Sequence, residues 1–434
     1  MIPNYPHTNA VKIAPLPLAA ALAMFCLSAV YAEDSWVPDA PAAPQRTADM
    51  QPTVAAPFRG KSAVLGWRLS GLFVAGMSEK LAGQTYDVRF LDTELPMAQS
   101  VARAQAGQPN PNHSLLVGPF QRARSEAWRQ ALNSAGIDQM AFAAREPGSG
   151  TPRYTLALDP AATASALSEY LCRTSQSRTW ALMVPQSSSG ERFARSFALG
   201  TARCPQAVLG AVTWYREDLE DLSVRAREHY GIDRVPPEQL ERQKLAADAV
   251  EGVLQSDVNV VIATPDSLPR VINELVYQGS SFQVFAGDFN FAHSRVLGEI
   301  KWSVSPVFLD HYPRDSRLTA RSEFQSFLTA SQRFMKGVPT TADLLLYEAG
   351  QLAAVQAISA PAGLSFDTAG GTVASSGEGS FILPLYPLTV SDGAIRPAHD
   401  GLIDELVSRQ REQYQKFKQA RTDARNAKSK PVAD

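Results

Sequence analysis

Three adjacent hydroxyls, Ser187-Ser188-Ser189, precede Gly190 directly after the apolar run Ala181-Leu182-Met183-Val184-Pro185. A nucleophilic serine on a strained strand-to-helix turn needs Gly-x-Ser-x-Gly, and Gln186 stands where the first glycine would fall. These serines are therefore placed either to hydrogen-bond a ligand or to cap a helix starting near Glu191. His113, His229, His293, His311 and His399 are scattered, and none sits at metal-ligand spacing from a carboxylate or cysteine. Of these, His311, in Leu309-Asp310-His311-Tyr312, is the one to watch. The segment Leu65-Gly66-Trp67-Arg68-Leu69-Ser70-Gly71 has neither the Gly-x-Gly-x-x-Gly order nor a Lys-Ser/Thr pair, so no phosphate loop is indicated. The residue types point to holding rather than transforming: no enzyme, no cofactor and no metal are expected.

The elements that must position these residues follow a strand, loop, helix grammar. Ala181–Phe197 shows it, and so does Ser114–Leu132, where Leu115-Leu116-Val117-Gly118-Pro119-Phe120 runs into a helical pattern. Ala63–Trp67 reads as an opening strand, Gly71–Leu81 as a helix, and Val88–Leu91 as the second strand. Val101–Ala106 reads as a helix, Leu115–Val117 as the third strand and Ala141–Ala143 as the fourth. After a crossover at Thr155–Asp159 the pattern repeats. Helices are expected at Ala161–Leu171, Glu191–Leu199, Glu238–Leu254 and Ser267–Tyr277, and strands at Trp180–Val184, Val208–Trp214, Val258–Ala263 and Gln283–Ala286. The charged stretch Asp218–Pro237 reads as an insertion over a loop. Helices Arg321–Phe334 and Ala342–Ala357 follow, then a Gly/Ser-rich hairpin from Gly363 to Val390.

This is an α/β chain with two lobes, each a doubly wound, mostly parallel sheet with helices on both faces. Its expected divisions are a signal peptide (1–32), a Pro/Ala-rich linker (33–59), lobe 1 (60–157) and lobe 2 (158–290). A return to lobe 1 (291–358), a hairpin with return to lobe 2 (359–398) and a charged terminal helix and tail (399–434) complete it. Ligands of such sheets bind at strand carboxyl ends. That rule nominates Arg68, Ser70, Asp92, Thr93, Phe120, Gln121, Arg145, Ser187, Ser188, Ser189, Tyr215, Thr264, Asp288 and Phe289 as the lining of a ligand cleft.

Leu16–Val30 is apolar, and Val30-Tyr31-Ala32 offers a cleavage site before Glu33, so export to the periplasm is expected. The apolar core is roughly 15 residues, short of the ~20 that span a bilayer, and no transmembrane segment is expected. Ala23-Met24-Phe25 lacks the small residues that a lipoprotein peptidase needs before Cys26, so a lipid anchor is not expected. After cleavage only Cys172 and Cys204 remain, an even pair in an oxidising compartment and a disulfide candidate. The 41 basic against 43 acidic residues give no net field that would attract nucleic acid.

Phe90-Leu91-Asp92-Thr93, Leu116-Val117-Gly118-Pro119 and the βα unit from Leu182 resemble the type I periplasmic-binding fold of branched-chain amino-acid binding proteins. Leu156-Ala157-Leu158-Asp159-Pro160, Val184–Ala194, Ala263-Thr264-Pro265 and Gly363–Asp367 resemble most the activators of penicillin-binding proteins. That resemblance implies a non-enzymatic envelope protein whose partner is a peptidoglycan synthase. The wider resemblance implies the alternative, a solute-binding protein serving an ABC-type importer and holding an amino acid or similar small polar ligand. Phe120-Gln121-Arg122 and Ala144-Arg145-Glu146 stand where amino-acid binders place Ser and Ser/Thr.

Overall fold

Thr53-Val54-Ala55-Ala56 is bracketed by Pro52 and Pro57, and all four residues are buried. A strand covered on both faces needs no polar alternation, and these four form a central strand. A computed structural model describes residues 10–13, 52–82, 84, 86–106, 115–120, 122–135, 137–142, 154–176, 179–231, 257–264, 267–279, 284–288, 306–335, 337–355, 362–376, 380–391 and 394–428. The chain divides into two units, 1–157 with 317–384 and 158–316 with 385–434.

Unit 1 holds strands β1 (Ala10–Ile13), β2 (Thr53–Ala56), β3 (Tyr86–Asp92), β4 (Leu115–Val117), β5 (Asp138–Ala141) and β6 (Tyr154–Thr155) in the order β1-β3-β2-β4-β5-β6. All neighbours are parallel except the β1–β3 pair. Its helices are α1 (Ala63–Lys80), α2 (Met97–Ala106) and α3 (Arg122–Ser134). Ala55, Leu91 and Leu116 meet Val101, Trp128 and Leu132 on one face. A three-stranded antiparallel sheet, formed by residues 365–382, also belongs here.

Unit 2 holds β7 (Thr179–Pro185), β8 (Val208–Tyr215), β9 (Val258–Ile262), β10 (Phe285–Asp288) and β11 (Val307–Asp310) as parallel strands. Numbering the three strands of the small sheet β12 (Ser365–Asp367), β13 (Thr372–Ser375) and β14 (Phe381–Ile382), unit 2 adds the antiparallel β15 (Tyr386–Ser391) and β16 (Ala394–Pro397). The strand order is β16-β15-β11-β10-β9-β7-β8. Its helices are α4 (Pro160–Thr174), α5 (Ser188–Ala202), α6 (Leu222–His229) and α7 (Leu268–Gly279). The period-2 pleat sorts the two cores. Trp180, Leu182, Val184, Val258 and Val260 pack with Leu167, Phe193 and Phe197, while Met183, Val261, Phe285 and Phe308 pack with Leu222, Val271 and Leu275.

Helices α8 (Ser322–Phe334) and α9 (Thr341–Ala354) return to unit 1, and α10 (Leu402–Lys428) closes unit 2. The first turns of α10 dock through Ile403, Leu406 and Val407. Asp404 accepts hydrogen bonds from Ser175 Oγ and the Gln176 amide, each 2.8 Å.

Several expectations are corrected. Ala63–Trp67 is the start of α1, not a strand, because its apolar residues continue at helical spacing into Leu69, Leu72, Phe73 and Met77. The opening strand is β2, inside the segment read as linker, and Ala10–Ile13 pairs on β3 inside the segment read as leader. The fourth strand ends at Ala141, the one read at 283–286 lies at 285–288, and the chain leaves unit 2 after Ser316 rather than near 291, because β11 completes that sheet. Asp218–Pro237 is not merely a loop insertion: Leu222, Ala226 and Tyr230 are core residues. The helix expected at 238–254 lies outside the described residues, as do His113 and His293.

His229 is buried, with Nδ1 3.0 Å from Thr213 Oγ1 and Nε2 3.0 Å from Asn259 Oδ1. Burial pushes its pKa below the ordinary value, against a smaller upward pull from Asn259. The unfolded chain therefore binds the proton more readily, at an ordinary pKa of about 6.5, so stability is fully present above that pH and is lost as pH falls toward the folded value. We expect a His229→Gln variant to lose midpoint stability less steeply than the parent between neutral pH and mild acid. Parallel slopes in pH-dependent thermal melts would refute this.

Candidate functional site

At the carboxyl edge of unit 1, Asp92 closes β3 and binds the chain leaving β2. Its Oδ1 accepts from the Phe58 amide (3.0 Å) and the Glu94 amide (3.1 Å), and its Oδ2 lies 3.0 Å from Arg59 Nε. Thr93 donates its amide to Ala56 O (2.9 Å) and receives Arg124, whose Nη1 donates to Thr93 O (2.8 Å), Thr93 Oγ1 (3.3 Å) and Glu94 Oε1 (3.0 Å). After β4, Gly118 has φ +95° and a Cβ there would meet Ala55 O at 2.7 Å, so only glycine fits the turn. Gln139 Nε2 donates to Gly118 O at 2.8 Å and fixes that turn. Phe120 then packs on Phe142, with ring centroids 5.1 Å apart.

Arg68 and Ser70, expected at the end of an opening strand, lie within α1 instead. Arg68 Nε donates to Asp343 Oδ1 at 2.8 Å, and Asp343 is buried at the start of α9, where it forms a capping box with Thr340. Ser70 is buried. Arg68 thus braces α1 against α9, while the buried Ser70 hydroxyl has no hydrogen-bond partner. Gln121 and Arg145 lie outside the described residues.

At the carboxyl edge of unit 2, Ser187 is the N-cap of α5, its Oγ accepting from the Gly190 amide at 3.3 Å, and Ser188 and Ser189 form the first turn. A Cβ on Gly190 would meet Pro185 O at 2.1 Å, which explains the glycine after the serines. Asp159 caps α4 through the Ala161 and Ala162 amides and pairs with Arg192 of α5, tying two helix starts together. Tyr215 is buried, its hydroxyl donates to Ile262 O at 2.6 Å, and burial raises its pKa. Thr264 and Ser267 share a 2.8 Å hydroxyl contact at the start of α7. Asp288 ends β10 opposite Ile262, and Phe289 lies outside the described residues.

Sequence reasoning missed Arg59 and Arg124 as partners of the strand ends, and it missed an apolar rim. Val64 is 79% exposed and Leu65 is also exposed on the first turn of α1, above half-buried Phe58, Trp67 and Phe90. Phe58 lies 4.7 Å from Trp67 and 5.7 Å from Phe90, centroid to centroid. Read as a strand, Val64 and Leu65 look like core; only the helical register turns them outward. Among the described residues no group of three or more His, Cys, Asp or Glu could hold a metal ion, and no helix is long and apolar enough to cross a membrane.

No family model and no curated protein matches the sequence. Solved structures do match. A putative branched-chain amino acid ABC transporter protein from Rhodospirillum rubrum aligns with TM-score 0.60 and 14% identity over 80% of this chain and 99% of that one. The fold is the type I periplasmic-binding fold. A solute-binding protein from R. palustris in complex with 4-hydroxybenzoate is similar, with TM-score 0.56 and 13% identity over 82% of this chain and 96% of that one. So is the LpoA C-domain from Haemophilus influenzae, a regulator of PBP1A, with TM-score 0.50 and 16% identity over 80% of this chain and all (100%) of that one. In open α/β sheets ligands bind outside the carboxyl ends of the strands, and Asp92, Thr93, Phe120, Ser187, Tyr215, Thr264 and Asp288 lie at or just past such ends.

Proposed function

We propose that this protein is a non-enzymatic periplasmic binding protein that serves as an adaptor for a protein partner, in the manner of regulators of peptidoglycan synthases. The observation that carries the reading is how the strand-end polar groups are used. Asp92 is taken by two amides and Arg59, Ser187 caps its helix, Tyr215 is bonded inside the core, and Thr264 faces Ser267. A small polar solute needs fixed groups aimed at its charges. Here those side chains brace the scaffold, and unit 1 exposes Val64 and Leu65 on the first turn of α1 in addition to its Arg59, Glu94 and Arg124 charges. Protein interfaces are built on such apolar anchors.

The likeness to the LpoA C-domain supports a peptidoglycan synthase, a penicillin-binding protein, as the partner class. The type I periplasmic-binding fold and the apolar run Leu16–Val30 support periplasmic placement. On unit 1, Asp92, Thr93 and Phe120 then border the docking surface rather than grip a solute. The competing reading is a solute receptor of an ABC-type importer.

Two measurements decide between them. The exported protein is used to capture envelope extract, and the purified chain is screened by thermal shift against amino acids and aromatic acids. We expect a peptidoglycan synthase to be captured, and Val64→Glu with Leu65→Glu to weaken that capture by at least about tenfold, or about 1.4 kcal/mol, without lowering the melting point. A large thermal shift with one compound class and no synthase in the capture would establish the solute receptor instead.

A further inference from the structure

Unit 2's sheet ends on β8, whose eight residues Val-Leu-Gly-Ala-Val-Thr-Trp-Tyr carry no charge and no proline. Edge strands in soluble proteins are ordinarily guarded by charged side chains, prolines or a covering element, because their outer N–H and C=O groups are a template for another strand. Here β7 pairs with one side of β8, and among the described residues no strand pairs with the other. Val208 is 61% exposed and Val212 is 41% exposed. Two large apolar side chains are thus exposed on an edge strand whose outer side no described strand covers.

We propose that β8 is a self-association edge, joined antiparallel to β8 of a second copy across a two-fold axis. The chemistry of the strand selects a copy as the occupant. A two-fold axis through a strand sets residues near it against their own equivalents, so a charge there would face its like and be penalised. No position of β8 carries one. The register of β8 on β7 shifts between Leu209 and Ala211, leaving Gly210 as the extra residue and Ala211–Tyr215 as the regular stretch. An axis at Thr213 sets threonine against threonine and Val212 against Trp214, both favourable cross-strand pairs.

Sedimentation equilibrium of the full chain across low to high micromolar concentration tests this, together with amide exchange. The expected result is a concentration-dependent dimer, with exchange protection of the outward β8 amides rising in parallel. Val212→Lys, at an exposed position one residue from the axis, should weaken dimerisation at least about tenfold while leaving the melting point of the dilute protein unchanged. A monomer at every concentration overturns the proposal. So does a dimer that Val212→Lys leaves intact, or one in which β8 exchange does not change with concentration.

Discussion

Replacing Gly350 with alanine should lower the stability of unit 1 by about 2 kcal/mol or more, and Gly76→Ala should do the same. α1 and α9 cross with backbone against backbone: a Cβ on Gly76 would stand 1.9 Å from Tyr347 O, and one on Gly350 2.0 Å from Phe73 O. Neither obstacle is a side chain that can rotate away, so the helices must separate. Separation loosens the contacts flanking the crossing. Arg68 holds buried Asp343 at one end, and Glu79 accepts from the Tyr347 hydroxyl (3.0 Å) and from Gln351 at the other. Overpacking costs typically 1–3 kcal/mol and more where backbone must move, against a gain of about 1 kcal/mol from replacing glycine inside a helix. Gly71→Ala is the control. Its Cβ would meet the ring of half-buried Phe334 at 2.5 Å, a side chain with room to swing, so its cost should stay well below that of the other two. Chemical denaturation followed by intrinsic fluorescence reads all three; equal midpoints for Gly350→Ala and Gly71→Ala would show that the helix crossing is not the constraint.

What the sequence made legible was set by how local each signal is. The runs at 180–184, 208–214 and 258–262 are predominantly apolar and bounded by helical patterns, so their elements emerge from composition alone. β2 is four residues between two prolines, and its burial comes from β3 and β4 on either side, dozens of residues away. Nothing local separates it from a tether. The error at Ala63–Trp67 followed from that one, since a missing first strand had to be found somewhere. α6 was obscured by its charges, because Leu222, Ala226 and His229 mark the buried stripe while Arg225, Arg227 and Glu228 dominate the composition.

At the candidate site the strand-end rule placed Asp92, Ser187, Tyr215 and Thr264 at or just past the ends of their strands. It could not show that each is occupied. Tyr215 bonds a carbonyl 47 positions on, and Asp92 an amide 34 positions back. Ile262 lies on β9, beyond β7 in the order β9-β7-β8, and Phe58 just past β2, the neighbour of β3; only strand order reveals such partners. On the proposed function, a side chain that stabilises its own sheet edge is unavailable to select a solute, and selectivity falls to Val64 and Leu65, which the sequence reading had placed on an opening strand.

Reduction of the Cys172–Cys204 disulfide, or its replacement by an alanine pair, should lower stability by about 3–4 kcal/mol on the loop-entropy model for a loop of this size. Cys172 lies in the last turn of α4 and Cys204 just after α5, with 32 positions between them, so the bridge joins the two helix ends that precede β7 and β8. The closed loop contains β7 and α5, the strand and helix on which the Ser187 cap is built. Native geometry has other support: Gln206 Nε2 donates to Cys172 O at 2.8 Å, and the Cys204 amide donates to Thr201 O at 2.9 Å. The reduced protein should therefore fold to the same structure from a less constrained unfolded chain. Thiol reductant should lower the unfolding midpoint of the parent, leave the Cys172→Ala, Cys204→Ala double variant unmoved, and not alter partner capture, because the bridge lies at the amino ends of β7 and β8, opposite the strand ends that carry the site. A parent midpoint insensitive to reductant would remove the bridge from the account of stability, and loss of capture on reduction would place the partner's surface at the wrong end of the sheet.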